Sequence, residues 1–208
     1  MDLSAPYAPF LSTTDARVLS VLAGTTRPLS GREVARLSEM AQTGVWRSLR
    51  RLTEHGLLHE QAAGGKTLLY TMNRDHVAAD PAVALTRLRQ LLIERIREQI
   101  ERWPLQPIHA SIFGSVARRD GDAKSDVDIF VVRPRDVDDE DERWRAQLDA
   151  LAEAVLRWAG NHAGIADIGE AQVNRLARER PPIVGELERD GIPLVGPAIG
   201  ELFAGRRG

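Results

Sequence analysis

Residues 113–132 have the sequence FGSVARRDGDAKSDVDIFVV. An apolar run leads into this stretch, and a second run with alternating polarity begins at Asp126; both are typical of β-strands. Because side chains alternate along a strand, Asp126 and Asp128 are expected on one face, about 7 Å apart. Neighbouring carboxylates repel each other unless a cation lies between them, and hard oxygen donors favour Mg²⁺ or Mn²⁺. The sequence therefore predicts a divalent-metal site on the second strand.

The turn before this strand has residue types that suit a phosphate group. Gly114 lets the main chain approach a ligand closely, and free N–H groups at the start of a helical turn favour an anion. Ser115 adds a hydroxyl donor, and Arg118 adds a fixed positive charge. A Gly-Ser pair or an Asp-x-Asp motif alone is common in loops without function. Their combination predicts a phosphate-binding turn that faces a metal-binding strand.

Together these residues resemble the signature of the polymerase β superfamily of nucleotidyltransferases, above all its minimal bacterial and archaeal members. The family pattern Gly-Ser-x-Ala-Arg-Gly corresponds to residues 114–119, where Arg119 stands in place of the usual glycine. The resemblance covers about residues 107–197. It implies two Mg²⁺ or Mn²⁺ ions on Asp126 and Asp128, and a nucleoside triphosphate held by Gly114, Ser115, Arg118 and Ser125.

The superfamily also places a third carboxylate on a neighbouring strand. Asp167 lies in the predicted strand 165–168, and the resemblance implies that it binds metal and helps to deprotonate the acceptor hydroxyl. A strand-end aspartate is also a common cap of the helix that follows it. Glu170 is the alternative third carboxylate, although it falls in the first turn of the next predicted helix.

The N-terminal part, residues 8–76, has the element order of a winged helix-turn-helix domain. Three helical segments precede two short β-prone runs, and Ser30 and Glu33 form a capping box at the second helix. This order resembles regulators of the MarR and ArsR type. The resemblance implies contacts with double-stranded DNA from Thr43, Arg47, Arg50 and Arg51 on the third helix and from Lys66 on the wing. Solvated arginines, or a module that docks protein, are the alternatives.

An amphipathic segment joins the two predicted domains. Apolar residues recur at steps of three and four, and prolines flank the segment, so a single helix over residues 82–103 is predicted. Its apolar stripe fits either packing within the chain or a homodimer. The second domain, residues 107–197, is predicted to be α+β with a small mixed sheet.

Composition narrows the class of protein. Of 208 residues, 43% are hydrophobic and 28% charged, as in ordinary globular proteins. The absence of cysteine excludes disulfides, thiolate metal sites and a cysteine nucleophile. No apolar run approaches the roughly 18 residues that span a bilayer. We therefore expect a cytoplasmic protein without a membrane segment.

The resemblance implies an enzyme that transfers a nucleoside monophosphate, AMP from ATP being favoured, to an unidentified acceptor hydroxyl. One alternative is a DNA-binding regulator whose transferase domain senses nucleotides. Another is an antitoxin-like partner of a toxin or other protein acceptor. Both metal-binding aspartates and the Gly-Ser pair favour activity. Arg119 and the third carboxylate leave the sensor alternative open.

Overall fold

The computed structural model describes residues 1–65 and 67–204. They divide into two compact units. One is Ala5–Leu88, and the other combines Met1–Ser4 with the chain from Arg89 onward. The second unit is thus discontinuous in sequence, because the chain leaves it after Ser4 and returns at Arg89. Helices and strands occur in both units, so the predicted α+β class is confirmed.

The unit Ala5–Leu88 combines helices with a small antiparallel sheet. Its elements are α1 (Thr13–Ala23), β1 (Leu29–Ser30), α2 (Gly31–Ser38), α3 (Gln42–Glu54), β2 (Leu58–Ala62), β3 (Leu68–Met72) and α4 (Ala79–Thr86). The strand order is β1-β3-β2, with both pairs antiparallel. Apolar side chains from α1, α2, α3 and the sheet form one buried cluster. This is the arrangement of a winged helix.

Local hydrogen bonds define where these helices begin. The Ser30–Glu33 capping box is present, and the Ser30 N–H is the main cause that lowers the pKa of Glu33 to about 2. Helix α1 is capped by Ser12, whose side chain accepts from the Asp15 N–H. The cap of α3 is Ala41, which makes no side-chain bond, so Thr43 lies within the first turn instead of capping it.

The predicted single helix over residues 82–103 is two helices, α4 and α5 (Leu88–Glu101). Arg87 separates them with φ −110° and ψ 9°. The Thr86 hydroxyl donates to the Val83 carbonyl at 2.7 Å, a local bond that competes with the helical pattern. The prediction of one continuous helix is therefore wrong. The division between the two units, after Leu88, lies next to this interruption.

The second unit contains a mixed four-stranded sheet. After α5 its elements are β4 (His109–Phe113), α6 (Gly114–Arg118), β5 (Val127–Arg133), α7 (Glu142–Ala159), β6 (Ala163–Gly169), α8 (Glu170–Glu179), α9 (Pro182–Asp190), β7 (Ile192–Val195) and α10 (Ile199–Ala204). The strand order is β6-β5-β4-β7; β5 and β6 are parallel and the other pairs antiparallel.

The two faces of this sheet pack against different helices. Val127, Ile129 and Val131 of β5 share a buried cluster with residues of α5 and α7. Phe130 and Val132 share another with residues of α8, α9 and α10. Because side chains alternate, Asp128 belongs to the second face, at the start of β5. Among the described residues, no helix is long and apolar enough to span a membrane.

Candidate functional site

Asp128 lies in a tight setting between two glycines. Gly114, the first residue of α6, has φ +66°, and a Cβ built there would overlap Oδ2 of Asp128. A Cβ on Gly164 of the neighbouring strand β6 would lie 3.1 Å from Oδ1. Glycine is therefore required at position 114 both for its backbone angle and for the close approach. Gly164 was not predicted from the sequence, although a glycine inside a strand often marks such an approach.

Asp126 and Asp128 form a repelling pair. Burial and then the charge of Asp126 raise the pKa of Asp128, and Glu186 of α9 contributes in the same direction. Arg118 acts in the opposite direction. The repulsion between the two carboxylates agrees with the prediction that they lie close together on one face.

This pair fits a hard divalent cation, because a cation between the carboxylates would relieve their repulsion. Mg²⁺ keeps several waters and accepts phosphate oxygens, so two protein carboxylates are sufficient protein ligands. In the described part of the chain, no group of three or more His, Cys, Asp or Glu side chains could hold a metal. Asp126 and Asp128 would hold the ion.

The loop between α6 and β5 lies against Ser115. A Cβ on Gly121 would be only 2.8 Å from the Ser115 hydroxyl oxygen, so the loop can approach because residue 121 is glycine. Ser125 closes the end of the loop: its hydroxyl donates to Asp122 Oδ1 at 3.0 Å and accepts from the Asp122 N–H at 2.9 Å. Of the two predicted nucleotide-binding serines, Ser125 has a hydroxyl that is already engaged within the loop.

Arg118 ends α6 with an ion pair. Its Nε donates to Asp120 Oδ2 at 3.0 Å, and this bond raises the pKa of Arg118. Glu186 and Asp190 of α9 interact with the same guanidinium electrostatically. A phosphate group that binds Arg118 would therefore compete with Asp120.

Asp167 does not join the other two aspartates. In the parallel register Gly164 lies beside Asp128, and Asp167 lies beside Val131, on the opposite face of the sheet. The Asp167 carboxylate is ion-paired with Arg133 and accepts from Trp144 Nε1 at 3.2 Å. Burial raises its pKa against the opposing effects of Trp144 and Arg133. The prediction that Asp167 binds the metal is therefore wrong.

The alternative third carboxylate, Glu170, is also directed elsewhere. It begins α8 and forms an ion pair with Arg135 Nε at 2.7 Å. Besides Asp126, the acid whose charge acts on Asp128 is Glu186 of α9. Glu186 was not predicted from the sequence, because the approach of α9 to the strand depends on tertiary packing.

The three arginines of α3 have different surroundings. Arg51 is ion-paired with Asp15, whose side chain is buried. Arg50 pairs with Glu54 at 2.7 Å on the surface. Arg47 is exposed, and it has no ion pair within residues 1–65 and 67–204. Arg51 thus fixes α3 to α1, and Arg47 is available for a partner.

Family models match two separate parts of the chain. Residues 93–159 match a nucleotidyltransferase domain, and residues 16–62 match an IclR helix-turn-helix domain. The chain fuses a helix-turn-helix domain to a nucleotidyltransferase domain. This confirms the predicted fusion, with an IclR model at the N-terminal part where the sequence analysis named the MarR and ArsR types.

Two solved structures are similar to part of this fusion. One is a toxin-antitoxin with AMP-PNP, 21% identical, covering 55% of this chain and 82% of that chain with a TM-score of 0.38. The other is a mutant of the toxin-antitoxin MntA-HpeT. It is 19% identical and covers 55% of this chain and 81% of that chain, with a TM-score of 0.37. No curated protein matches the chain.

Arg119 is the C-cap of α6 in the nucleotidyltransferase domain. Its φ of 65° and ψ of 31° are left-handed, and its N–H bonds to the Ser115 carbonyl. Glycine adopts this conformation without steric strain, whereas other residues are disfavoured there by about 1 kcal/mol. This geometry accounts for the glycine of the family pattern, and Arg119 keeps the same turn.

In the helix-turn-helix domain, Trp46 is the largest exposed side chain of α3, with 57% of its surface exposed. A cavity of about 480 Å³ beside it is lined by Ser30, Gly31, Arg32, Trp46, Thr67, Leu68 and Tyr70. Thr43 and Arg47 are exposed on the same helix. The predicted wing contact Lys66 lies outside the described residues. The sequence alone did not distinguish Trp46 as a contact residue.

Proposed function

We propose that the nucleotidyltransferase domain transfers a nucleoside monophosphate, with ATP as the favoured donor, to an acceptor hydroxyl. The observation that supports this most is the close approach of Gly114 to the Asp128 carboxylate, with Asp126 beside it. This arrangement brings the turn that carries Ser115 and Arg118 next to two carboxylates. Phosphate oxygens and their divalent cation can therefore be bound together.

In the proposed reaction the acceptor hydroxyl loses its proton to solvent, and its oxygen forms a bond to the α-phosphorus. The bond from that phosphorus to the oxygen bridging the α- and β-phosphates breaks, and pyrophosphate is released. Asp126 and Asp128 would hold Mg²⁺ or Mn²⁺, which when bound neutralises phosphate charge. Ser115 donates a hydrogen bond to a phosphate oxygen. Arg118 exchanges Asp120 for another phosphate oxygen, an exchange of one anionic partner for another.

Glu186 of α9 adds negative charge to the site. Strand β6, in contrast, has no carboxylate on the face of the sheet that carries Asp128. This charge favours a cation beside Asp128, since a nearby cation offsets the repulsion among carboxylates. We propose that Glu186 strengthens metal binding through the charge that it adds near Asp128.

The double substitution Asp126→Asn/Asp128→Asn tests the site. We expect loss of Mg²⁺-dependent transfer of label from α-labelled ATP, CTP, GTP or UTP to material in a cell extract, with DNA binding retained. Asp149→Asn, at an exposed aspartate of α7, is the matched control and should behave as the parent protein. Equal transfer by the double mutant and the parent would remove the proposed site.

We also propose that α3 binds double-stranded DNA, with Arg47 as its main charged contact and Thr43 as a second contact on the same helix; the contact from Lys66 stays a prediction from the sequence. Arg47 supports this because it is exposed and its charge is not paired within the described residues, whereas Arg51 is paired with Asp15. Binding should weaken as salt rises, and Arg47→Ala should lower the dependence of log K on log salt by about 1. Fluorescence anisotropy of labelled duplexes at several salt concentrations measures this. A slope unchanged by Arg47→Ala would contradict the contact.

A second candidate function is a DNA-binding regulator that binds a nucleotide without transferring it. The position of Asp167 favours this alternative, because it leaves the site with two strand carboxylates. Nucleotide binding without any label transfer would identify the sensor. An antitoxin-like role beside a protein partner, a homodimer and a cytoplasmic location stay predictions from the sequence.

A further inference from the structure

Arg89 of α5 is bonded to the short helix α6. Its Nε and Nη2 donate to the Val116 carbonyl at 3.0 and 2.7 Å, and Nη2 also donates to the Ala117 carbonyl at 3.3 Å. The last carbonyls of a helix have no partner within it. The Ser115 carbonyl accepts hydrogen bonds from the N–H groups of Arg119 and Asp120. Arg89 supplies donors for the next two carbonyls, those of Val116 and Ala117.

The surroundings of Arg89 suggest a specific role. Burial lowers its pKa, and the charge of Arg119 acts in the same direction. Within the described residues, its hydrogen bonds all go to main-chain carbonyls of α6. A half-buried cation with a like charge nearby is disfavoured unless its donors are well used. The planar guanidinium reaches two neighbouring carbonyls at once, which a lysine ammonium does less well.

The other side of the same turn is held by the first residues of the chain. Leu3 is fully buried, and its Cβ would lie 3.4 Å from a Cβ on Gly121. The Ser4 N–H donates to the Gly121 carbonyl at 2.8 Å. Gly121 in turn lies against Ser115. The five-residue helix α6 and its following loop are therefore supported from two directions.

We infer that Arg89 is a positioning residue for nucleotide binding, which holds α6 so that Ser115 and Arg118 face the Asp128 carboxylate before the nucleotide arrives. The inference rests on the proposed function of that site. A five-residue helix is too short to be stable alone, and the residue that follows it, Arg119, has a left-handed backbone. Without Arg89 the turn would have to be ordered when nucleotide binds, which weakens binding.

The test compares Arg89→Met and Arg89→Lys with Arg95→Met, which changes an exposed arginine on the same helix. The probe is α,β-methylene ATP with Mg²⁺, measured by isothermal titration calorimetry. We expect Arg89→Met to raise Kd about 10- to 100-fold, because charge-assisted hydrogen bonds are lost. Arg89→Lys should lie between, and Arg95→Met should match the parent. In transfer assays KM for the nucleotide should rise, with kcat changed less than about threefold.

Amide hydrogen exchange without nucleotide separates this inference from the proposed function. Arg89→Met should speed exchange at Arg119 and Asp120, whose N–H groups bond to Ser115, and leave strand β4 unchanged. If the parent binds no nucleotide but this change is seen, the proposed function fails and the support of α6 by Arg89 stands. If Arg89→Met exchanges and binds as the parent does, the inference is overturned. Should Arg89→Met not fold, Arg89→Lys gives the same two readouts.

Discussion

A methyl group at Gly114 has no room in this fold. The residue has a left-handed φ of +66°, and a Cβ there would overlap Oδ2 of Asp128. Gly114→Ala therefore introduces two separate penalties. The first acts on the backbone, and the second displaces the carboxylate that would hold the metal.

Both penalties lower stability, and the displacement of the carboxylate also lowers activity. A non-glycine residue in the left-handed region is disfavoured by about 1 kcal/mol, and a forced overlap adds about 1–3 kcal/mol. We therefore expect the free energy of unfolding to fall by about 2–4 kcal/mol. Asp128 must move by about 1 Å to reach ordinary contact distance, and a misplacement of that size lowers the rate about 100-fold.

Urea unfolding and label transfer from α-labelled ATP measure these effects. Gly164→Ala should be milder, because its Cβ would lie 3.1 Å from Asp128 Oδ1. Gly200→Ala is the control, since a Cβ there would meet no atom within 4 Å and its φ is not left-handed. If Gly114→Ala kept both the stability and the transfer rate of Gly200→Ala, the close approach of the turn to Asp128 would be refuted.

Three further outcomes are expected. Asp167→Ala should lower the free energy of unfolding by about 3–5 kcal/mol, because it leaves Arg133 buried and unpaired. If urea unfolding instead gave an unchanged free energy while nucleotide transfer was lost, Asp167 would have to be returned to the metal site. Burial and the charge of Asp126 raise the pKa of Asp128, so ionisation of Asp128 disfavours the folded state. Asp128→Asn should therefore raise the Tm of the metal-free protein at pH 7. In scanning calorimetry across pH, this gain in Tm should shrink as the pH falls through the raised pKa and vanish below about pH 3.9. Arg51→Ala should destabilise the helix-turn-helix domain by leaving Asp15 buried without its cation, whereas Arg47→Ala should leave its thermal unfolding unchanged; equal Tm values for both variants would contradict the distinction between them.

Features that depend on neighbouring residues were readable from the sequence. The capping box at Ser30 and the strand-turn-strand around Gly114 involve a few consecutive residues whose types restrict the backbone. The division into a helix-turn-helix part and an α+β part followed from hydrophobic periodicity. The roles assigned to Asp126, Asp128, Ser115 and Arg118 in binding stay predictions, which their geometry supports.

Features that depend on packing were not readable. A shift of one residue in strand register moves a side chain to the other face, and for this reason Asp167 could not be assigned from the sequence. The sequence likewise did not reveal that Arg51 is paired with Asp15 in another helix, or that Arg89 bonds to α6, because those partners are far apart along the chain. The interruption at Arg87 arises from a local bond of Thr86 within a pattern that otherwise favours helix.

Nucleotide transfer itself is tested most directly with ATP labelled at either the α- or the γ-phosphate, incubated with the protein, Mg²⁺ and a cell extract. We expect that the acceptor gains the α-label, that the γ-label is released in pyrophosphate, and that Asp126→Asn/Asp128→Asn abolishes both. An acceptor labelled from the γ-phosphate instead, or α-labelling that persists in the double mutant, would contradict this expectation.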